Sequence, residues 1–266
     1  MKNKPTDFAY HLTNFLAKYL PGIRGRGVNT IKSYRDTFSL YLKYFRDECN
    51  VKPELVALNV ITPESVAAFL MWLENSRGCA VSTRNQRLAA FHSFFGYLQT
   101  ECPDYILLCQ RILAIDFKTA PKRSVGYLPL ETIQAILAQP NPETPSGLRD
   151  LAMLCILYDT GARVQEIADL TVADVRLEEP ATIRLIGKGD KARIVPLMHQ
   201  TRNILQKYIR AYNLLQTHAR LYPLFSNRSK QKLTRAGITY ILDKYVEAAK
   251  ISAPLLRSRI PAVSLL

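Results

Sequence analysis

The sequence predicts a mainly α-helical protein with one small β-hairpin, split into an all-helical amino-terminal part and a mixed α+β carboxyl-terminal part. Three observations lead there. Apolar residues recur at three- and four-residue spacing through most of the first hundred positions, the period of an amphipathic helix. Only one pair of β-rich runs, 182–186 and 193–197, is joined by a tight glycine-containing turn. Between Asp116 and Leu128 the text loses its periodicity and carries Lys118, Lys122 and Arg123 beside Pro121 and Gly126, the composition of an interdomain linker.

Each element follows in order. Phe8, Leu12, Phe15, Leu16 and Tyr19 form one helical stripe. A glycine-rich turn at 22–27 precedes a second stripe of Ile31, Tyr34, Phe38, Tyr41, Leu42 and Phe45, with Asn29 or Thr30 as its cap. Thr62-Pro63-Glu64 is a helix start with proline at the first helical position, followed by Val66, Phe69, Leu70 and Leu73. Ser82 is a cap for a fourth helix, in which Leu88, Phe91, Phe95 and Leu98 face inward and Arg84 and Arg87 stand together near the start. The aromatic run Phe91, Phe94, Phe95, Tyr97 reads as core rather than a base-stacking platform. These four helices make a bundle domain over 1–118, followed by a basic linker over 119–127. In the second domain, 128–266, helices are expected over 130–137, 148–158 and 164–170, with a Thr160-Gly161 turn before the last. The hairpin follows, then a helix over 201–217 and one capped by Thr234 that carries Ile238, Ile241, Leu242, Tyr245 and Val246.

Charge narrows the function. The 36 Lys+Arg against 22 Asp+Glu give a net +14 over 266 residues. Cut after Lys118, the first part holds 15 basic and 10 acidic residues and the second 21 and 12, so both are basic. A field shared by two domains fits a long polyanion better than one local anion pocket. The five cysteines are scattered without a CxxC, and the four histidines are far apart without HExxH, which argues against a disulfide framework or structural zinc. No GxxxxGK[ST] loop supports a P-loop ATPase, and GIRGRG at 22–27 has the wrong spacing for a dinucleotide fingerprint. No apolar run approaches the roughly 20 residues that span a bilayer, and the polar start is unlike a secretory signal. A soluble, cytoplasmic protein with no membrane contact, metal or cofactor is the expectation.

The stretch from Tyr158 to Leu170, Tyr-Asp-Thr-Gly-Ala-Arg-Val-Gln-Glu-Ile-Ala-Asp-Leu, resembles the first arginine box of the tyrosine recombinase (phage integrase) family, closest to its Xer-like branch. Asp174 stands at the expected interval, and Ile183 to Leu197, with Gly-Lys-Gly-Asp-Lys at its centre, is similar to the family's lysine hairpin. Upstream, 22–45 and 82–98 resemble its helical core-binding domain. The resemblance therefore implies a SAM-like core-binding domain followed by an integrase-type catalytic domain, acting on double-stranded DNA as a homo-oligomer, tetrameric at synapsis.

The implied chemistry explains the residue types. A tyrosine oxygen attacks a phosphodiester, the phosphotyrosyl link stores the bond, and a later strand hydroxyl restores the backbone. The protein must supply positive charge to the transition state and a proton to the departing 5′ oxygen. Arg163 matches the first catalytic arginine; a guanidinium fork stays charged and can hold two phosphate oxygens. Lys188 matches the catalytic lysine, with Lys191 next in the same turn. In an arbitrary protein Arg163 would simply pair with Glu166 or Asp159, and Lys188 would be a solvated turn residue. Glu166 reads as a packing partner rather than an acid or base. Arg84, Arg87, Lys122, Arg123 and Lys191 are the candidate DNA contacts.

The family also calls for a second box, His-x-x-Arg with a further His, then a His or Trp, then a tyrosine nucleophile on a late helix. None of these is read after the lysine hairpin; the last histidine is His218, before the helix at 237–250, and Arg257 and Arg259 lack accompanying histidines. Tyr245 lies on the apolar stripe and reads as core. The expectation is a truncated or frameshifted member holding half an active site, with an inactive DNA-binding remnant or regulator of recombination as the alternative.

Overall fold

The computed structural model describes residues 5–120 and 128–252. The chain divides into two compact units, Met1–Arg123 and Ser124–Leu266. Lys122, Arg123, Arg257 and Arg259 lie outside the described residues.

Among its described residues the first unit contains helices and no strand. Helix α1 (Asp7–Asn14) is capped by Thr6, whose hydroxyl accepts from the Ala9 amide, and runs into a π-helical segment, Phe15–Ile23, that contains Pro21. Helices α2 (Val28–Glu48), α3 (Pro63–Asn75), α4 (Val81–Glu101) and α5 (Ile106–Leu113) follow. The predicted four-helix bundle is thus one helix short: α5, led in by Pro103, is too brief for its periodicity to register. Thr62 and Pro63 start α3 as anticipated, the Thr62 hydroxyl accepting from the Ser65 amide while Ser65 Oγ accepts from the Thr62 amide. The other two expected caps are wrong. Helix α2 starts after Gly27 and α4 after Ala80, neither with a side-chain cap, so Asn29, Thr30 and Ser82 lie inside the helices.

The core of this unit is aromatic. Phe8, Phe15, Phe38, Tyr41, Phe69, Phe91, Phe94 and Phe95 are all buried, and edge-to-face pairs such as Phe8–Phe94 and Tyr41–Phe91, centroids 5.7 and 4.9 Å apart, lock α1, α2 and α4 together. Burial of each such ring is worth about 1.5–3 kcal/mol. The Tyr41 hydroxyl meets Ser65 Oγ at 2.7 Å, so the one polar atom this ring brings inside has a partner.

The second unit contains α6 (Leu130–Leu137), α7 (Pro145–Thr160), α8 (Val164–Asp169), α9 (His199–Ala211) and α10 (Arg235–Ser252). Its sheet has three antiparallel strands in the order β1 (Val175–Arg176), β2 (Thr182–Ile186), β3 (Ala192–Pro196). Strand β1, only two residues long, was not anticipated, and α9 ends at Ala211 rather than reaching 217. The hairpin register pairs Thr182 with Pro196 at the open end and Ile186 with Ala192 at the closed end. Ile183 and Leu185 on the inner face of β2 join Ala152, Met153 and Ile156 of α7, Leu205 and Tyr208 of α9, and Ile238 and Val246 of α10 in one core. Asp150 is buried on α7 and is satisfied from two sides, by Arg149 at 2.6 Å and by the Tyr245 hydroxyl at 2.9 Å. Thr234 caps α10 by accepting from the Gly237 amide.

Candidate active site

The site grows from the end of α7. Gly161 adopts φ +56°, a left-handed conformation that glycine enters without a Cβ penalty, and it stops α7 so that α8 can start at Val164. Arg163 is the residue before α8, in extended backbone, and its amide donates to Glu166 Oε2 at 2.9 Å. The Arg163 side chain meets the same carboxylate, Nη1 to Glu166 Oε1 at 3.0 Å, yet 73% of it is exposed. Glu166 is nearly enclosed, with 3% of its side chain exposed.

A second arginine shares that carboxylate. Arg193, on β3, donates Nη1 to Oε1 at 2.9 Å and Nη2 to Oε2 at 2.6 Å, a two-pronged contact. Arg193 foremost, aided by the Arg163 amide and guanidinium, pushes the Glu166 carboxyl down to about 2 against the opposing effect of its burial. Both guanidinium groups therefore face a carboxylate that stays ionised at any working pH.

The hairpin turn is docked on the same residue. Gly187, the first turn residue, lies so close that a Cβ there would stand 3.1 Å from Glu166 Oε1, and its amide donates to the Lys191 carbonyl at 2.9 Å to close the turn. Gly189 and Asp190 take left-handed φ values of +75° and +57°, which carry Lys188 and Lys191 around an exposed loop. So Arg163 and the turn bearing Lys188 and Lys191 meet at Glu166. Arg193 is a member that the sequence does not single out, since there it is one residue of a β-rich run.

Two acidic neighbours brace this arrangement. Asp174 accepts from the Thr171 amide and hydroxyl and from Arg184 Nε at 2.9 Å, fixing the approach to β1 and β2. Burial would raise its pKa, but Thr171 and Arg184 prevail and hold it below the ordinary carboxylate range. Asp159 accepts from the Met198 amide at 2.9 Å, so it ties α7 to the exit of β3.

A profile of the phage integrase family matches residues 127–259, and one of its N-terminal SAM-like domain matches 13–101. A putative integrase/recombinase of Sinorhizobium fredii, y4rC, is 33% identical over 256 residues, covering 96% of this chain and 76% of that protein. The chain belongs to the phage integrase family. Tyrosine recombinase XerD of Listeria monocytogenes is 33% identical over 87% of this chain and 76% of its own length. Membership puts the chain among the site-specific recombinases of the tyrosine type, which act on DNA. Among solved structures, a XerH recombinase bound to its difH substrate superposes with a TM-score of 0.64 at 22% identity, over 89% of this chain and 67% of that one. A lambda integrase dimer bound to a COC′ core site gives 0.61 at 15% over 90% and 80%. These likenesses establish the fold.

Other singled-out residues have partners of their own. Arg84 is not the exposed cation expected of the first turn of α4: it is 7% exposed, and its Nη1 donates to the Asp116 carbonyl at 2.9 Å and to Asn85 Oδ1 at 3.1 Å. Arg87 is half-buried and donates to the Ser33 carbonyl and Thr37 Oγ1 at 3.1 and 3.0 Å, joining α4 to α2. The sequence reading also passed over one literal His-x-x-Arg, His199-Gln200-Thr201-Arg202. It starts α9 at the open end of the hairpin, where Arg202 Nε donates to the Leu177 carbonyl and Nη1 to Glu179, both at 2.7 Å. Lys188 is at the other, closed end, so this motif is structural. Tyr245 is core, as its place on the apolar stripe implied, whereas Tyr240 on the same helix is 70% exposed.

Proposed function

We propose that this chain presents Arg163 and Lys188 to a phosphodiester of duplex DNA, Arg163 binding the non-bridging oxygens and Lys188 protonating the 5′ oxygen that leaves as a tyrosine oxygen bonds to phosphorus, with Lys191 as a further phosphate contact. One observation carries the reading: Arg163 is anchored at a single Nη by a buried carboxylate while most of its side chain faces solvent. The enclosed Glu166 fixes one edge of the guanidinium, and Arg163 is more exposed than Arg184, which is paired to Asp174 and 52% exposed. Here the fork is oriented and largely unspent, the state required for binding an oxyanion with little reorganisation. The docked turn supports Lys188 as the nearby proton donor. The net charge of +14 supplies the attraction to duplex DNA, in the cytoplasm, with assembly of further copies on the same DNA.

A second reading, binding without cleavage, is favoured by the tyrosines. The Tyr245 hydroxyl is buried, donates to Asp150, and is pushed up to about 12 by burial and by that carboxylate, so it is a poor nucleophile. Among the described residues no tyrosine hydroxyl is hydrogen-bonded to Arg163, Lys188 or Lys191. A nicked suicide duplex separates the readings. A covalent complex on denaturing gels that disappears in Arg163→Ala, with duplex binding retained, supports strand cleavage. Retained binding with no covalent complex supports occupation alone, and absence of duplex binding sinks both.

A further inference from the structure

The feature left unused by this reading is Arg193. If Arg163 is to take a phosphate oxygen, the carboxylate at its side is a competitor: a lone Glu166 would draw the guanidinium into a two-pronged pair and cancel its charge. The geometry points to Arg193 as a positioning residue that occupies both oxygens of Glu166, so that Arg163 is oriented by one Nη contact and keeps its charge and its remaining donors for the phosphate. This rests on the assignment of Arg163 as the phosphate ligand.

Four observations carry the inference. Arg193 bonds both carboxylate oxygens, at 2.9 and 2.6 Å, whereas the Arg163 guanidinium reaches one, at 3.0 Å. Exposure is divided in the same sense, 38% for Arg193 and 73% for Arg163. One carboxylate between two guanidinium groups leaves a net positive charge, and the less engaged group is the exposed one. Gly187 stands against Oε1, so the carboxylate that Arg193 holds also sets the base of the lysine turn. Arg193 thereby links the two proposed catalytic groups without touching the substrate.

The test must separate this charge-balancing role from mere docking of the hairpin, and removal of the competitor does so. The full chain, labelled with ¹⁵N, is titrated with inorganic phosphate while the amide signals of Gly187, Lys188 and Arg163 are followed. Arg193→Ala should weaken phosphate binding at these signals about tenfold, the scale of one lost charge-assisted contact. Arg193→Gln, which keeps much of the side-chain volume without the charge, should do the same. Adding Glu166→Gln to Arg193→Ala should restore affinity to within about threefold of the parent, because no carboxylate is left to capture Arg163. Unchanged affinity in Arg193→Ala and Arg193→Gln would overturn the inference, as would a loss that Glu166→Gln does not rescue, since docking alone would fail equally in both backgrounds. Phosphate shifts that persist undiminished in Arg163→Ala would instead remove the underlying assignment of Arg163.

Discussion

Arg84 and Arg163 each stand beside the start of a helix in a basic chain, one in each unit, and the two are used in opposite ways. Arg84 is enclosed and donates to the Asp116 carbonyl and the neighbouring Asn85 side chain, which in turn bonds both the amide and the carbonyl of Lys118. It ties the first turn of α4 to the segment that follows α5. Arg163 is fastened by Glu166 and otherwise faces water. What distinguishes them is the acceptor. At Arg84 enclosure keeps the guanidinium from water, with Nη1 on neutral acceptors and Nε buried without a partner, whereas at Arg163 a buried carboxylate shared with a second cation orients one edge and leaves the rest open to solvent.

The comparison predicts its largest effect in stability. Arg84→Ala should destabilise the first unit by about 2–3 kcal/mol, from the lost hydrogen bonds and the cavity left behind. Arg163→Ala should change stability by no more than about 0.5 kcal/mol, as exposed substitutions do. The single tryptophan, Trp72, reports on the first unit, where its Nε1 donates to Glu48. Urea unfolding followed by its fluorescence should therefore shift strongly for Arg84→Ala and hardly at all for Arg163→Ala. Equal midpoints for the two variants would break the contrast.

Acid should sharpen it. The carboxyl of Glu166 is held at about 2, below its ordinary value of 4.5, so its contribution is fully present above that ordinary value and is lost as pH falls toward 2. The loss is of order 2 kcal/mol. Protection of the hairpin amides, taken relative to intrinsic exchange at each pH, should fall over that interval in the parent protein but show little such dependence in Glu166→Gln. Arg84 donates to uncharged acceptors, so its contact should survive the same descent. A hairpin whose protection is constant from neutral pH to about 3 would deny Glu166 its role as the anchor.

A smaller effect separates two tyrosines of α10. Tyr245→Phe removes the hydroxyl that donates to buried Asp150 and should cost about 1–2 kcal/mol, part of the penalty being offset by the Arg149 contact that remains. Tyr240→Phe, at an exposed position, should fall within about 0.5 kcal/mol. Amide exchange on α10 measures both, and a Tyr245→Phe variant as protected as the parent would mean that the buried bond contributes nothing net.

Local chemistry was legible in the sequence, and long-range partnership was not. The Thr62-Pro63 start, the Thr160-Gly161 stop and the Gly-Lys-Gly-Asp-Lys turn are each fixed by neighbouring residues, so reading them in order finds them. Gly27 and Ala80 start the two longest helices without a side-chain cap, and a rule that seeks Ser, Thr or Asn selects residues already inside. Arg84 meets a carbonyl 32 residues away, and Arg193 meets a carboxylate 27 residues away. Neither spacing has a period or a motif; each depends on how elements pack. The family resemblance singles out Arg163 and Lys188 because they fall in its boxes, and it gives no reason to single out Arg193.

The smallest expected effect is also the most direct reading of which arginine meets DNA. If Arg163 neutralises one phosphate, Arg163→Ala should reduce the slope of log K against log salt by about 0.9, and Lys188→Ala and Lys191→Ala should do likewise if each contributes its own contact. Arg84→Ala should lower affinity only as far as it unfolds the first unit, and below its unfolding threshold the slope should be unchanged, because its guanidinium is enclosed by the protein, with Nη1 on the Asp116 carbonyl and Asn85. Titrations of duplex DNA across a range of salt, at a temperature where Trp72 fluorescence reports the first unit folded, provide the comparison. A slope that falls for Arg84→Ala and not for Arg163→Ala would reverse the assignment: the buried guanidinium would then have to leave the Asp116 carbonyl to meet a phosphate, and the exposed one would be idle.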